Sequence, residues 1–353
     1  MLAKIVSQCF PASSTRNSRV EALRIGAILM ICGMHVLGSY FQTTNPANRE
    51  FIVLWNAVGN AGVSVFVLIS GFYGIRFRLE RLVQFWLLIW TFSMLLLLCQ
   101  AALGTESITA QTLRNAMFPI ASRRWWFVTA YFLLFCASPL LNVAAERLGK
   151  VGYGKLLALL MLFLVVAPTL TFADPTGDKG KGTLYVVFLY LAGRYYGLYG
   201  FPRLVREHAW LLLAAAFTLI FVGNSVLSLR SGKVALDLCH DTNLLIFVEA
   251  SCIVYLAQRG TCVVRWVNAL AGFVFPLYLF HGLLLPYWNM EGDSAALPLY
   301  VLGKLLMLLA VCVVVEVLRR LLLGGITERL GERIVSGYRQ VEMRIHDYSR
   351  FSS

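Results

Sequence analysis

Long apolar segments recur along the whole chain, and this feature restricts its fold more than any other. Hydrophobic residues make up 59% of the 353 residues, whereas an ordinary soluble domain contains about half. A soluble fold of this length has too small an interior to bury the excess, so the runs predict membrane-spanning helices. We therefore expect an all-α integral membrane protein, a bundle of about ten transmembrane helices. The expected helices are 20–40, 51–73, 82–103, 125–142, 151–171, 183–199, 209–228, 240–258, 266–288 and 297–318.

The basic residues indicate how these helices are oriented. The formal net charge is +13, and Lys and Arg lie mostly in the connections that share the N-terminal side of the membrane. By the positive-inside rule, both termini are expected in the cytoplasm. Membrane lipids with anionic headgroups explain the positive charge better than nucleic acid does, so no nucleic-acid partner is expected.

Three regions follow from these assignments. Residues 1–19 form a cytoplasmic N-terminal tail, residues 20–321 a transmembrane domain, and residues 322–353 a cytoplasmic basic tail. In the basic tail, apolar residues recur at steps of three and four, which predicts an amphipathic helix lying on the inner leaflet. A solvated helix, or one that binds a partner, is the alternative.

Most other polar residues within the apolar segments indicate no chemistry by themselves. The eight cysteines contain no CxxC pair and are expected to be small buried hydrophobes, not disulfides or metal ligands. Glu249 and Glu316 also lie within predicted helices. A buried carboxylate there needs a partner, and Arg194 is one candidate.

Arg24 and His35 stand out in the first apolar segment, because an ionisable group in hydrocarbon is costly and is a functional candidate by default. They are eleven residues apart, a rotation of about 1100°, within about 20° of three full turns. Both side chains are therefore expected on one helix face, about 16 Å apart. Glu21 lies three residues before Arg24, close enough to pair with it.

Several segments, taken in chain order, resemble those of membrane-bound acyltransferase family 3. The first helix matches the family's motif of an Arg, ten residues and a His, with Glu21 where Asp is usual. The segment GNAGVSVFVLISGFYG resembles the family's phenylalanine-rich segment that ends in Ser-Gly, here Ser70-Gly71. The segment RRWWFVTAYFLLFCASPLLN, with Trp126 and Tyr131, resembles a stretch of the branch that acts on surface polysaccharides.

A fourth segment, FVFPLYLFHG, carries Tyr278 and His281 and resembles the family's late Tyr-Leu-x-His element. Together the four segments cover essentially the whole chain in the family's order. The loop RFRLERLVQFW departs from the family's pattern. Arg78 and Arg81 have the spacing of its Arg-x-x-Arg motif, but no Pro follows.

The resemblance implies acyl transfer, commonly of acetyl, from cytoplasmic acyl-CoA to a hydroxyl of an extracytoplasmic glycan or lipid-linked saccharide at the bacterial inner membrane. On this interpretation His35 is the general base or the transient acyl acceptor. Arg24, oriented by Glu21, positions the donor. The residues expected to bind donor or substrate are Ser70, Arg78, Arg81, Trp126, Tyr131, Tyr278 and His281. No metal is expected.

Each candidate also has a structural explanation. The two histidines can simply pack between helices, and the Glu–Arg pair can be purely structural. Ser70 can be a nucleophile, but Ser70-Gly71 more readily permits close helix packing. Trp126 can belong to the aromatic belt at the membrane surface, and Arg78 and Arg81 can serve only the positive-inside rule.

A transporter or flippase for a lipid-linked glycan is the alternative function. It would also need about ten helices and intramembrane charge. Transporters often consist of two related halves with broken helices, and the sequence has no visible internal repeat. A tunnel that reaches His35 from both membrane faces would favour acyl transfer.

Overall fold

The computed structural model describes residues 16–172, 174–283, 285–286 and 289–351. Most of the predicted tail 1–19 therefore lies outside the described residues. All regular secondary structure within the described ranges is helical. The α-helices are α1 (Ser18–Leu37), α2 (Pro46–Gly59), α3 (Ala61–Tyr73), α4 (Leu79–Ala102), α5 (Ala110–Met117), α6 (Trp126–Arg147), α7 (Gly149–Met161), α8 (Ala167–Thr171), α9 (Thr183–Tyr199), α10 (Arg203–Ser231), α11 (Leu244–Gln258), α12 (Arg265–Leu270), α13 (Val274–Phe280) and α14 (Leu297–Phe351). Shorter 3-10 helices cover Gly38–Tyr40, Ala271–Phe273 and His281–Leu283, and a π-helical turn, Leu162–Val166, joins α7 to α8.

The all-helical membrane architecture is confirmed. Among the described residues, 8 helical stretches are long and apolar enough to cross a membrane. Two further predicted spans are helical but short: α9 has 17 residues and α11 has 15. A straight span needs about 20 residues, so the count of ten stays a prediction, as does the cytoplasmic placement of the termini.

The predicted ninth helix, 266–288, is wrong as a single continuous helix. The chain passes through α12, a 3-10 turn, α13 and a second 3-10 turn that ends at Leu283. Pro276 lies inside α13 and has no N–H to donate to the carbonyl of Gly272, four residues earlier. That carbonyl instead accepts a hydrogen bond from Nη2 of Arg320 at 3.2 Å. Residues 284, 287 and 288 lie outside the described residues.

The predicted C-terminal tail continues the last membrane helix without an interruption at residue 322. α14 runs from Leu297 to Phe351 as one helix, so the boundary predicted between residues 321 and 322 falls inside it. Val335 is buried against Val83 and Leu87 of α4, and Arg339 forms an ion pair with Glu80. The tail as far as residue 340 therefore packs partly against the bundle. Its placement on the inner leaflet stays a prediction.

Helices α3 and α9 are in backbone contact through glycines. A Cβ atom on Gly71 would lie 2.1 Å from the carbonyl oxygen of Tyr190, and one on Gly193 would lie 2.2 Å from that of Leu68. Only glycine fits at either position, as in other membrane helix pairs packed through small residues. Gly71 of the Ser70-Gly71 pair is therefore a packing residue.

Two of the three charged residues noted within the apolar segments, Glu316 and Arg194, have identified partners. Glu316 is 1% exposed and binds Nε of Arg319 and Nε of Arg320, each at 2.6 Å, from its own helix. Arg194 pairs with Glu146 at 3.3 Å and not with either buried glutamate. Oε2 of Glu249 has no hydrogen-bond partner within the described part of the chain.

One carboxylate fastens the connection before α14 to the turn between α1 and α2. Asp293 accepts hydrogen bonds from the hydroxyls of Thr43 and Thr44 at 2.6 and 2.7 Å. It also accepts from the backbone N–H groups of Thr44 and Asn45 at 2.7 and 3.1 Å. These donors stabilise the ionised form and hold the pKa of Asp293 well below its usual range.

We predict that Gly193→Ala lowers the free energy of unfolding by about 1–3 kcal/mol, because the added methyl group must push α3 and α9 apart. Thermal unfolding in detergent measures this as a lower midpoint. Gly303→Ala is the matched control, since a Cβ atom there meets nothing within 4 Å. Equal midpoints for the two variants would contradict the backbone contact.

A second prediction concerns Asp293 and pH. A carboxylate whose folded pKa is depressed contributes stability above its unfolded pKa of about 4, and this contribution disappears as pH falls through the folded pKa. Asp293→Asn should therefore melt below the parent by a constant interval from pH 8 to about pH 5. The interval should shrink at more acidic pH. An interval independent of pH down to pH 2 would show that the charge of Asp293 is irrelevant.

Candidate functional site

The predicted ion pair in α1 is present. Nη1 of Arg24 lies 2.9 Å from Oε1 of Glu21, and Glu21 is 5% exposed. The first turn of α1 is held in place by Ser18, whose hydroxyl donates to Oδ1 of Asn268 at 2.8 Å. Nη1 is the only guanidinium nitrogen of Arg24 with a hydrogen-bond partner among the described residues. The remaining N–H groups of Arg24 are therefore available to a ligand.

A cavity of about 400 Å³ opens beside Arg24. Helices α1, α3, α4 and α6 and the broken segment around α13 enclose it. Charged groups line one part, and aliphatic and aromatic side chains line the rest, which suits a ligand with an anionic head and a slender arm. The lining residues are Arg16, Glu21, Arg24, Ile28, Ile31, Phe66, Ser70, Phe85, Leu88, Phe127, Tyr131, Ala271, Val274, Phe275 and Tyr278.

Ser70 and Tyr131 meet in the wall of this cavity. The hydroxyl of Ser70 donates to the carbonyl of Phe66 at 2.9 Å and lies 3.1 Å from Oη of Tyr131. Because the single hydroxyl proton of Ser70 is used by the carbonyl, Tyr131 is the donor in the second bond. No base contacts Ser70 among the described residues, so this arrangement does not activate it as a nucleophile.

His35 and His281 form a pair. Their ring centroids are 4.9 Å apart; His281 is buried, whereas His35 is exposed. Nδ1 of His281 lies 2.5 Å from the carbonyl oxygen of Tyr278. A carbonyl only accepts, so Nδ1 carries a hydrogen and, in the neutral ring, Nε2 is left as an acceptor.

Tyr278 separates the cavity from the histidine pair. Its ring lies 5.5 Å from that of His281 and 5.7 Å from that of Phe127. The cavity ends at Ile31 and Tyr278, and His35 lies one helical turn beyond Ile31. The cavity therefore runs along α1 from Arg24 for most of the distance to His35, but it does not reach His35.

The remaining residues predicted to bind donor or substrate lie outside this cavity. Arg78 and Arg81 are exposed and do not line the cavity. Arg81 shares the helical spacing of Phe85 and Leu88, so the α4 face that lines the cavity continues towards it, and Arg78 directly precedes α4 with an extended backbone. Trp126 lines a second cavity of about 300 Å³, on a different face of α6 from Tyr131.

Sequence reasoning missed Lys304, which is buried in α14 and contacts no carboxylate among the described residues. Its Nζ donates to the carbonyl of Leu285 and to Oδ1 of Asn289, each at 3.1 Å, and to Oη of Tyr300 at 2.9 Å. Lys304 thereby fixes the chain just after His281. A lysine inside the last apolar segment was the available signal.

Comparisons with known proteins bear on this geometry. A family model described as an acyltransferase domain, that of acyltransferase family 3, matches residues 17–317. The matched range contains the Glu21–Arg24 pair, both cavities and both histidines. No curated protein and no solved structure matches the chain.

Proposed function

Because the chain belongs to acyltransferase family 3, we propose that it is a membrane O-acyltransferase of the bacterial inner membrane. It moves an acyl group, expected to be acetyl, from cytoplasmic acyl-CoA to a hydroxyl of an extracytoplasmic glycan or lipid-linked saccharide. The proposal includes about ten spans with both termini in the cytoplasm. The observation that carries it is the cavity from the Glu21–Arg24 pair to Tyr278, beside the histidine pair.

The cavity suits acyl-CoA as the donor. The phosphates of coenzyme A are anionic, and an arginine fork binds phosphate well. Arg16 and Arg24 lie at the cavity, Arg81 lies beyond it on the same face of α4, and Arg78 directly precedes that helix. The slender pantetheine arm then follows the apolar lining along α1. Arg24 and His35 are about 16 Å apart along this helix.

Residues of this chain are sufficient to move the proton in the transfer step. The acceptor hydroxyl oxygen attacks the thioester carbonyl carbon while His35 takes the hydroxyl proton. The carbon–sulfur bond then breaks, and the imidazolium of His35 returns the proton to the departing thiolate. His281 is held by its Nδ1–H bond to the carbonyl of Tyr278. Its ring packs against that of His35 and orients it. In the alternative route, a ring nitrogen of His35 carries the acyl group before the hydroxyl attacks.

The decisive experiment is transfer of radiolabelled acetyl from acetyl-CoA to glycan in membranes that contain the parent or His35→Ala. We expect labelling with the parent and its loss, by 100-fold or more, in a stably folded His35→Ala. The matched control is His208→Ala, since His208 is exposed on α10 and lines neither cavity. Equal labelling by parent and His35→Ala would overturn the catalytic assignment, and no labelling by either would overturn the proposed donor and acceptor.

Arg24 has its own prediction. Arg24→Ala should raise the KM for acyl-CoA about 10–100-fold, as expected for the loss of charge-assisted hydrogen bonds of about 1.5–3 kcal/mol. The turnover number should change much less, because Arg24 binds a part of the donor remote from the reacting carbon. Arg203→Ala is the control, since Arg203 is exposed and pairs only with Glu207 in the described structure. A lower turnover number with unchanged KM would contradict the donor-binding role.

A further inference from the structure

The second cavity lies between the start of α6 and the connection that leads into α9. Arg123 and Trp126 line it on one side, and Asp178, Lys181 and Thr183 on the other. At about 300 Å³ it stands at the lower end of small-molecule sites. It therefore has room for a short saccharide unit, and a longer chain would extend into solvent.

The charges in this cavity favour an anion. Arg123 and Lys181 are exposed, and among the described residues neither side chain makes a hydrogen bond or an ion pair. Asp178 is already engaged in its own loop, where Oδ1 accepts from the hydroxyl of Thr176 at 2.7 Å and from the N–H of Gly180 at 2.9 Å. Two cations thus line the cavity without a hydrogen bond or ion pair among the described residues, against one lining carboxylate, so the lining carries a net positive charge.

Trp126 adds a surface for a sugar ring. Its indole is half-buried in the cavity wall and held edge-to-face against Phe127, with ring centroids 5.8 Å apart. The apolar face of an indole packs against the C–H groups of a pyranose, and its N–H donates to a hydroxyl. The Trp126 indole N–H has no hydrogen-bond partner in the described part of the chain.

A series of ring contacts connects the wall of this cavity to the histidine pair. Phe127, next to Trp126 in α6, contacts the ring of Tyr278, which in turn contacts His281. Four rings in contact therefore link Trp126 to His281, and Trp126 lies on a different face of α6 from Tyr131, which lines the first cavity.

We propose that this cavity binds an anionic saccharide, with Arg123 and Lys181 on its carboxylate or phosphate and Trp126 against its ring. This inference rests on the proposed function and specifies the class of acceptor. An outer-leaflet phospholipid also carries phosphate, but it offers no pyranose to Trp126, so the saccharide is the better fit.

Binding is measured first, without acyl transfer, by saturation-transfer NMR on the full chain in nanodiscs of zwitterionic lipid. The probes are methyl glucuronide and methyl glucoside, which differ only in the acid group. We expect the parent to bind the glucuronide at least tenfold more tightly. The double variant Arg123→Gln/Lys181→Gln should lose this preference and keep glucoside binding, whereas Trp126→Ala should weaken both.

Arg230→Gln/Lys233→Gln is the matched control, because both residues are exposed, at the end of α10 and just after it, and line neither cavity. Equal affinity of the parent for the two probes, or the same preference in the double variant, would overturn the inference. Displacement of the glucuronide by added phosphatidylglycerol, with no effect of Trp126→Ala, would assign the cavity to a lipid headgroup and also overturn it.

The radiolabel assay separates this inference from the proposed function. If the parent labels glycan but shows no preference for the acidic probe, the acceptor assignment fails and acyl transfer stands. If the parent binds the acidic probe as expected but labels no glycan, the saccharide site stands and acyl transfer fails.

Discussion

The Glu21–Arg24 ion pair is the interaction on which the cavity beside Arg24 depends. An arginine among apolar helices is costly unless its charge is balanced. Glu21 balances it from the preceding turn through a single nitrogen of the guanidinium. The rest of the guanidinium faces the cavity. One ion pair therefore stabilises the half-buried positive charge and leaves other N–H groups of Arg24 available to a ligand. Without Glu21, Arg24 would have to turn towards water, and the cavity would lose its cationic group.

The broken segment between α12 and the 3-10 turn at His281 is the other essential part. In a continuous helix, the position of His281 would follow from the regular helical rotation. The breaks change this position, and the ring of His281 packs against that of His35. The freed backbone groups are satisfied from α14: Arg320 binds the carbonyl of Gly272 and Lys304 binds that of Leu285. Asp293 then fixes the following connection to the turn after α1. Arg320 thus supplies a hydrogen bond that a regular helix would have made at Gly272, while Lys304 and Asp293 fix the connection that follows.

Much of this was accessible from the sequence, because it depends on local spacing. Apolar runs give the helices, and a separation of three residues gives the Glu21–Arg24 pair. The separate faces of Trp126 and Tyr131 were also predictable, since five residues rotate a helix by about 500°, or about 140° beyond one full turn. The meeting of His35 with His281 was not, because no local pattern relates side chains so distant along the chain. The partners of Glu316 were predictable too, since Arg319 and Arg320 follow it by three and four residues on the same helix. The sequence prediction named Arg194 as a candidate instead.

The glycine contact between α3 and α9 has a mechanical consequence. The backbones of α3 and α9 are in contact at Gly71 and Gly193, so the two helices cannot approach further, and we expect them to move together. Ser70 lies on α3, so we expect the wall of the first cavity that contains Ser70 to be rigid. The opposite wall is the segmented stretch that carries Tyr278, with few continuous helical hydrogen bonds to resist bending. We therefore expect a movement that joins the first cavity to the histidine pair to occur in the segmented wall and not in α3 or α9.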